Sequence, residues 1–390
     1  MAARLPLALT LTLALSCTMP MGATSDARSA IDAVLQVRAD AVARNDVVAF
    51  RSTVDAARPA LRRTQQDLFG MMRARGGAPT MTKVIKVEKY GAYTRAYVED
   101  SPERMLLGTS GPPSYRRVYF RQETGAWILS EPKTDELGEA TRGRIDDVEI
   151  EHWAIDDDIV EVVAHEVNAL RAEIAQTSPG IPASTLSLRL YPTSETIGLS
   201  GVPGAAASHP VASPRDRVLR VYDLWWSSAS GELAPFSRFV LRDQLLGMAR
   251  EQLAPLAYLR MDWWLRHGLG LAAGALDPGP AIRGVCSEPL SLKEMFDGPQ
   301  QEGAMGGAGM GGDALAPTYL ALISSTTPRA FLQARSMVEY LRAAHGERAY
   351  WNLVLAYQDE PGAAAAYAKA ISVAPERFYS EWLSWARARC

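Results

Sequence analysis

Residues 165–169, His165-Glu166-Val167-Asn168-Ala169, begin like the H-E-x-x-H pattern. In that pattern two histidines one helical turn apart aim both imidazoles at one zinc ion, and the glutamate activates a bound water. Ala169 stands where the second histidine is needed, so the pair reads as a solvated His-Glu on the polar face of a helix. Other material for a metal site is thin. The chain has five histidines (His152, His165, His209, His267 and His345) and three cysteines (Cys17, Cys286 and Cys390). Three cysteines exclude a four-cysteine zinc site and a disulfide-built scaffold. Cys286 and Cys390 are able to pair in an oxidising compartment, although their spacing sets no distance. No G-x-S-x-G nucleophile turn is present. The glycine-rich stretch Gly303–Gly312 has no strand before it and no Gly-Lys-Ser/Thr after it, which makes it a flexible loop and not a phosphate cradle.

Composition bounds the rest. The chain has 390 residues, 47% hydrophobic and 22% charged, with room for two domains. Its 41 basic and 44 acidic residues leave a net charge of −3, so no general basic surface exists and no nucleic-acid partner is expected. Arg4, the apolar run Leu5–Leu15 and the small residues Ala14 and Ser16 read as a secretory signal peptide over residues 1–23. Cys17 resembles the lipidated cysteine of bacterial lipoproteins, although Ala14 and Leu15 depart from the usual leucine and small residue before it. The expected location is extracellular or at the cell envelope. Contact with a membrane is expected only through a lipid on Cys17.

The elements that position these residues follow from periodicity. Ile31, Val34, Leu35, Val37, Val42, Val47, Val48 and Phe50 mark two helices, with Asn45-Asp46 as turn and N-cap between them. Pro59 opens a third helix, which Gly76-Gly77-Ala78-Pro79 stops. The period then changes to that of strands: four are expected from Met81 to Glu131, turning at Tyr90-Gly91-Ala92 and at Glu123-Thr124-Gly125, with a loop from Ser101 to Pro113. Residues 137–158 are acidic and polar and read as a linker. Ile159 to Ala175 reads as an amphipathic helix, Leu186 to Tyr191 as a strand, and Val218 to Trp226 as another.

Helices followed by antiparallel strands, ending in "VYFRQETGAWILSEP", resemble the cone-shaped domain of the nuclear-transport-factor-2-like (cystatin-like) superfamily over residues 28–136. The resemblance implies an α+β cone, with helices on one face of a curved antiparallel sheet, that serves as a pocketed accessory domain, and its own helix layer and sheet lead to the expectation that it folds alone. Residues 159–390 resemble gluzincin-type, peptidase MA-like metallopeptidases, and the resemblance implies a mainly α-helical zincin-like domain with a small β-sheet. Three blocks carry it: "FSRFVLRDQLLGMARE", "YLRMDWWLRHGLGLAAGA", and the helical tail ending in "AYAKAISVAPERFYSEWLSWAR", where Glu381-Trp382 matches a Glu-Trp pair.

The carry-over of that family's chemistry fails residue by residue. Asp243 stands at the first histidine ligand, Gln244 at the general base, Gly247 at the second histidine and His267 at the glutamate ligand. A glycine supplies no ligand, and a neutral amide accepts no proton at neutral pH. Loss of a general base alone costs about 10²–10⁴-fold, and loss of the metal removes the activated water as well. The implied protein is an exported, non-catalytic pseudo-metallopeptidase without a cofactor. Its old cleft, lined by Trp263, Trp264, Asp243 and His267, would bind a peptide, protein or cell-envelope ligand. The alternative is an active zinc metallopeptidase with a rearranged ligand set drawing on His165 or Glu251. The tail has a rival reading as one tetratricopeptide-like helix pair, from Tyr357, Ala363, Tyr367, Ala370 and Pro375, although a solenoid needs about three copies.

Overall fold

In the computed structural model of the chain, the described residues are 21–74, 83–100, 113–178, 186–198, 211–213, 217–222, 224–227, 230–255, 257, 260–272, 285, 287–297 and 328–390. Most of the expected signal peptide, Cys17, Cys286 and Gly303–Gly312 lie outside them.

The first unit begins with α1 (Met21–Arg44), α2 (Val47–Ser52) and α3 (Pro59–Ala74). Asn45 takes a left-handed φ of 59° to end α1, and the Asp46 carboxylate accepts the Ala49 amide at 2.9 Å to start α2. Val37 and Val48, expected among the apolar positions, are exposed because they fall off the stripe that Ile31, Leu35 and Val42 bury. The strands are β1 (Lys83–Tyr90), β2 (Tyr93–Asp100), β3 (Ser114–Glu123) and β4 (Ala126–Leu129), all antiparallel. Thr124 and Gly125, at φ 47° and 84°, turn β3 into β4 in two residues, and positive φ at both is the geometry that matches strand twist.

Two corrections concern the boundary. The expected linker at 137–158 carries β5 (Thr141–Ile145) and β6 (Val148–His152), the first hairpin of a second sheet. The expected strand over 218–226 is two strands in different sheets. β9 (Val218–Val221) lies in the second, while β10 (Trp225–Ser227) pairs with Ser114–Arg116 of β3 in the first. β4 covers one end of β3 and β10 the other, so the cone's sheet is completed by residues about a hundred positions further on.

The halves are also tied by charge. Arg117 of β3 donates to Asp156 at 2.7 Å and to Asp158 at 3.0 Å. Glu131 accepts the Ser194 amide and hydroxyl at 2.9 and 2.6 Å, and the Tyr222 hydroxyl at 3.0 Å. A fragment of residues 28–136 is therefore expected to lose cooperative folding, contrary to what its own helix layer and sheet suggest. Trp226→Ala in the whole chain is expected to cost about 3–5 kcal/mol, since Trp226 is buried on β10 beside β3. A fragment that melts in one sharp transition by circular dichroism would overturn this.

The second sheet runs β5-β6-β7-β9-β8, with β7 (Leu186–Leu190) parallel to β6 and β9, and β8 (Val211–Ser213) an antiparallel edge. Helix α4 (Val160–Thr177) crosses from β6 to β7 and buries Val163, Val167, Leu170 and Ile174 on it. After the short α5 (Ser194–Gly198) the chain is mainly helical: α6 (Pro235–Leu253), α7 (Trp263–Ala272), α8 (Leu292–Asp297), α9 (Pro328–His345), α10 (Ala349–Asp359), α11 (Ala363–Ile371) and α12 (Pro375–Arg387). The α10–α11 pair shares one core with α7, α9 and α12 through Tyr357, Tyr367, Trp264 and Phe378. Cys390, at the end of the chain, is disulfide-bonded, and its partner lies outside the described residues. The fold is thus α+β, with an antiparallel sheet first and a helical region last. No helix among the described residues is long and apolar enough to cross a membrane.

Candidate functional site

Helix α6 presents Asp243, Gly247 and Arg250 at spacings of four and three, on one face. Helix α7 packs against that helix. The Arg250 side chain, 4% exposed, fills the seam: its Nη1 donates to the Arg266 carbonyl of α7 and to the Tyr350 hydroxyl at 3.2 Å. A Cβ at Gly247 would stand 3.6 Å from Arg250 Nη2. The guanidinium thus occupies the space beside two of the positions from which ligands would converge. Asp243 is half-buried, and burial pushes its carboxyl up to about 6 against the opposing pull of Arg250. Gln244 is buried. Position 267 follows Arg266 in α7, and the His267 side chain lies outside the described residues.

The expected cleft does not use Trp264. That indole is wholly buried, stacked on Phe378 at 5.4 Å, with its Nε1 donating to the Tyr367 hydroxyl at 3.1 Å. Trp263 is half-buried against the same core. Apolar spacing in a helix followed by a packed tail buries such residues, so Trp264 belongs to the core and not to a ligand-lined groove. His165 stands exposed on α4, 3.6 Å from Asp146, while Glu166 accepts from Arg238 at 2.6 Å. Among the described residues, no three His, Cys, Asp or Glu side chains are close enough to share a metal ion.

A buried acid that sequence reasoning missed lies at the start of α7. Asp262, 6% exposed, accepts the Tyr367 hydroxyl at 2.8 Å. Burial raises its carboxyl to about 6 despite that hydrogen bond. A carboxyl with a raised folded-state pKa binds its proton more tightly in the folded chain. It therefore costs stability as pH rises from the unfolded value through about 6. Asp55 and Glu88 are depressed to about 2, and their contribution is lost only as pH falls below about 4. Asp243, raised to about 6 as well, acts in the same sense, so unfolding free energy is expected to be higher at pH 5 than at pH 7.5, and Asp262→Asn is expected to reduce the difference. Urea midpoints at the two pH values check this, and a midpoint higher at pH 7.5 contradicts it.

Among the described residues a cavity with clear chemistry lies where the cone meets the second half, a space of about 110 Å³. Leu35, Arg38 and Gln65 line it from α1 and α3, Arg116 and Val118 from β3, and Tyr222 and Trp226 from the second half. Its carboxylates are engaged: Glu131 by Ser194 and Tyr222, Asp156 by Arg117. The sequence carried a signal for this site. Arg38 falls in register with the buried Ile31, Leu35 and Val42, and Gln65 with Leu61 and Leu68, so each is a polar residue on an apolar stripe.

No protein-family model, no curated protein and no solved structure matches the chain.

Proposed function

We propose that the chain is an exported binding protein without hydrolytic activity, built from a pocketed α+β cone and a helical region of peptidase MA-like ancestry. The observation that carries this reading is the Arg250 guanidinium, held between Gly247 and the Arg266 carbonyl. A fixed cation there repels a divalent ion at short range, and its field acts on the Asp243 carboxyl as well. With Gly247 supplying no ligand and Gln244 no base, two of the motif positions lack the groups that would hold a water-activating metal and take its proton.

The cone cavity, which both halves of the chain enclose, is the place for a ligand in this reading, and the ligand is one available at the cell envelope. The disulfide at Cys390 supports an oxidising compartment. A peptidase assay of the purified protein on a peptide library, with and without chelator, is the test. No cleavage above background is expected. Chelator-sensitive cleavage that disappears in Asp243→Ala would sink the proposal.

A further inference from the structure

Arg38 is the anomalous charge of the described structure. Its side chain is 7% exposed, in the wall of the cone cavity. Its Nη1 donates to Thr53 Oγ1 at 2.9 Å and its Nη2 to Gln65 Oε1, both neutral acceptors. Its guanidinium carbon lies 3.9 Å from the centroid of the Phe50 ring. The nearby charge that acts on it is another cation, Arg116, and burial together with Arg116 lowers its pKa to about 9. A buried charge without a counter-charge is costly, and proteins retain one where something else supplies the opposite sign. Thr53 and Gln65 fix the guanidinium without neutralising it, as an anion site requires before its ligand arrives.

We infer that the cone cavity binds a small organic carboxylate with an apolar body, its carboxylate on Arg38 and its hydrocarbon among Leu35, Leu61, Val98 and Val118. This rests on the reading of the cavity as the ligand site. The space, smaller than a cavity of about 150 Å³ that holds benzene, takes a molecule of roughly four to six heavy atoms. The mixed wall favours that ligand over a bare oxyanion: the aliphatic side chains reward a hydrocarbon, and a planar carboxylate matches the fork of a guanidinium.

Titration calorimetry of the whole protein with butanoate, butanol and inorganic phosphate decides. Butanoate is expected to bind at least about tenfold more tightly than butanol, a difference of about 1.4 kcal/mol, and phosphate more weakly than butanoate. Arg38→Met is expected to erase the preference for butanoate, and Arg38→Lys to keep part of it. If Arg38→Met does not fold, the wild-type comparison of acid with alcohol still decides. Equal binding of butanoate and butanol overturns the carboxylate assignment and leaves the cavity as a site. Phosphate binding more tightly than butanoate overturns the apolar body. Absence of all binding overturns the inference, while the non-hydrolytic reading stands or falls separately on peptidase and zinc measurements.

Discussion

Gly268→Ala is expected to destabilise the protein by at least about 3 kcal/mol, a large effect for one methyl group. Helix α7 crosses α9 at Gly268. A Cβ there would stand 2.8 Å from the carbonyl carbon of Ala334 and from Val338 Cγ2, and closer still to the Ala334 oxygen. The obstacle is backbone, so no rotamer change relieves it and the two helices must part. They carry the centre of the helical core, with Leu265, Met337, Val338 and Leu341 all buried. Separating them loosens packing beyond the site of substitution. Gly247→Ala is the matched control, because its Cβ meets only ordinary contact and removes part of a helix-glycine penalty of roughly 0.5–1 kcal/mol. Denaturant unfolding of the two variants checks this. Equal midpoints would mean that the helices do not cross where they are placed.

Asp55→Ala is expected to cost about 3–5 kcal/mol. The carboxylate is 1% exposed and accepts from Arg121 Nε at 2.7 Å and Nη2 at 3.1 Å, from Ser130 Oγ at 2.6 Å and from the Ala57 amide at 2.8 Å. Burial alone would raise its pKa, but these donors outweigh it and hold the group at about 2. The cluster joins the α2–α3 connection to β3 and to the end of β4, where Leu129 and Val54 also bridge. Removing the acid leaves Arg121 and Ser130 facing an empty acceptor position, so helix layer and sheet lose their joint. Asp55→Asn, which keeps the shape, is expected to lose less than Asp55→Ala but more than about 1 kcal/mol, because the charge-assisted bonds go. A cost below about 1 kcal/mol for both variants contradicts the account.

How much of this was legible in the sequence depends on the range of the interaction. Local chemistry was readable: Asp46 caps the helix it was expected to cap, and Gly91 and Thr124-Gly125 turn the strands they were expected to turn. Pairing across long separations was not. Nothing local in Trp225–Ser227 says that it joins β3 instead of continuing β9. Residues 137–158 misled through composition, since their acidic content resembles a linker. Yet Val148-Glu149-Ile150-Glu151 alternates as a half-buried strand should, with Val148 and Ile150 inward. At the candidate site, matching motif positions pointed to Asp243, Gln244, Gly247 and His267 but not to Arg250, because that residue is not part of the pattern. Arg38 belongs to no motif and stands out only as a charge on the apolar stripe of Ile31, Leu35 and Val42.

In the proposed reading, Asp243, Gly247 and His267 hold no metal, and the Arg250 guanidinium fills the space beside Gly247. Elemental analysis of the purified protein after exposure to zinc and gel filtration tests it most directly. The account predicts zinc far below one ion per chain, unchanged in Asp243→Ala. Near-equimolar zinc that is lost in Asp243→Ala or His267→Ala would contradict it.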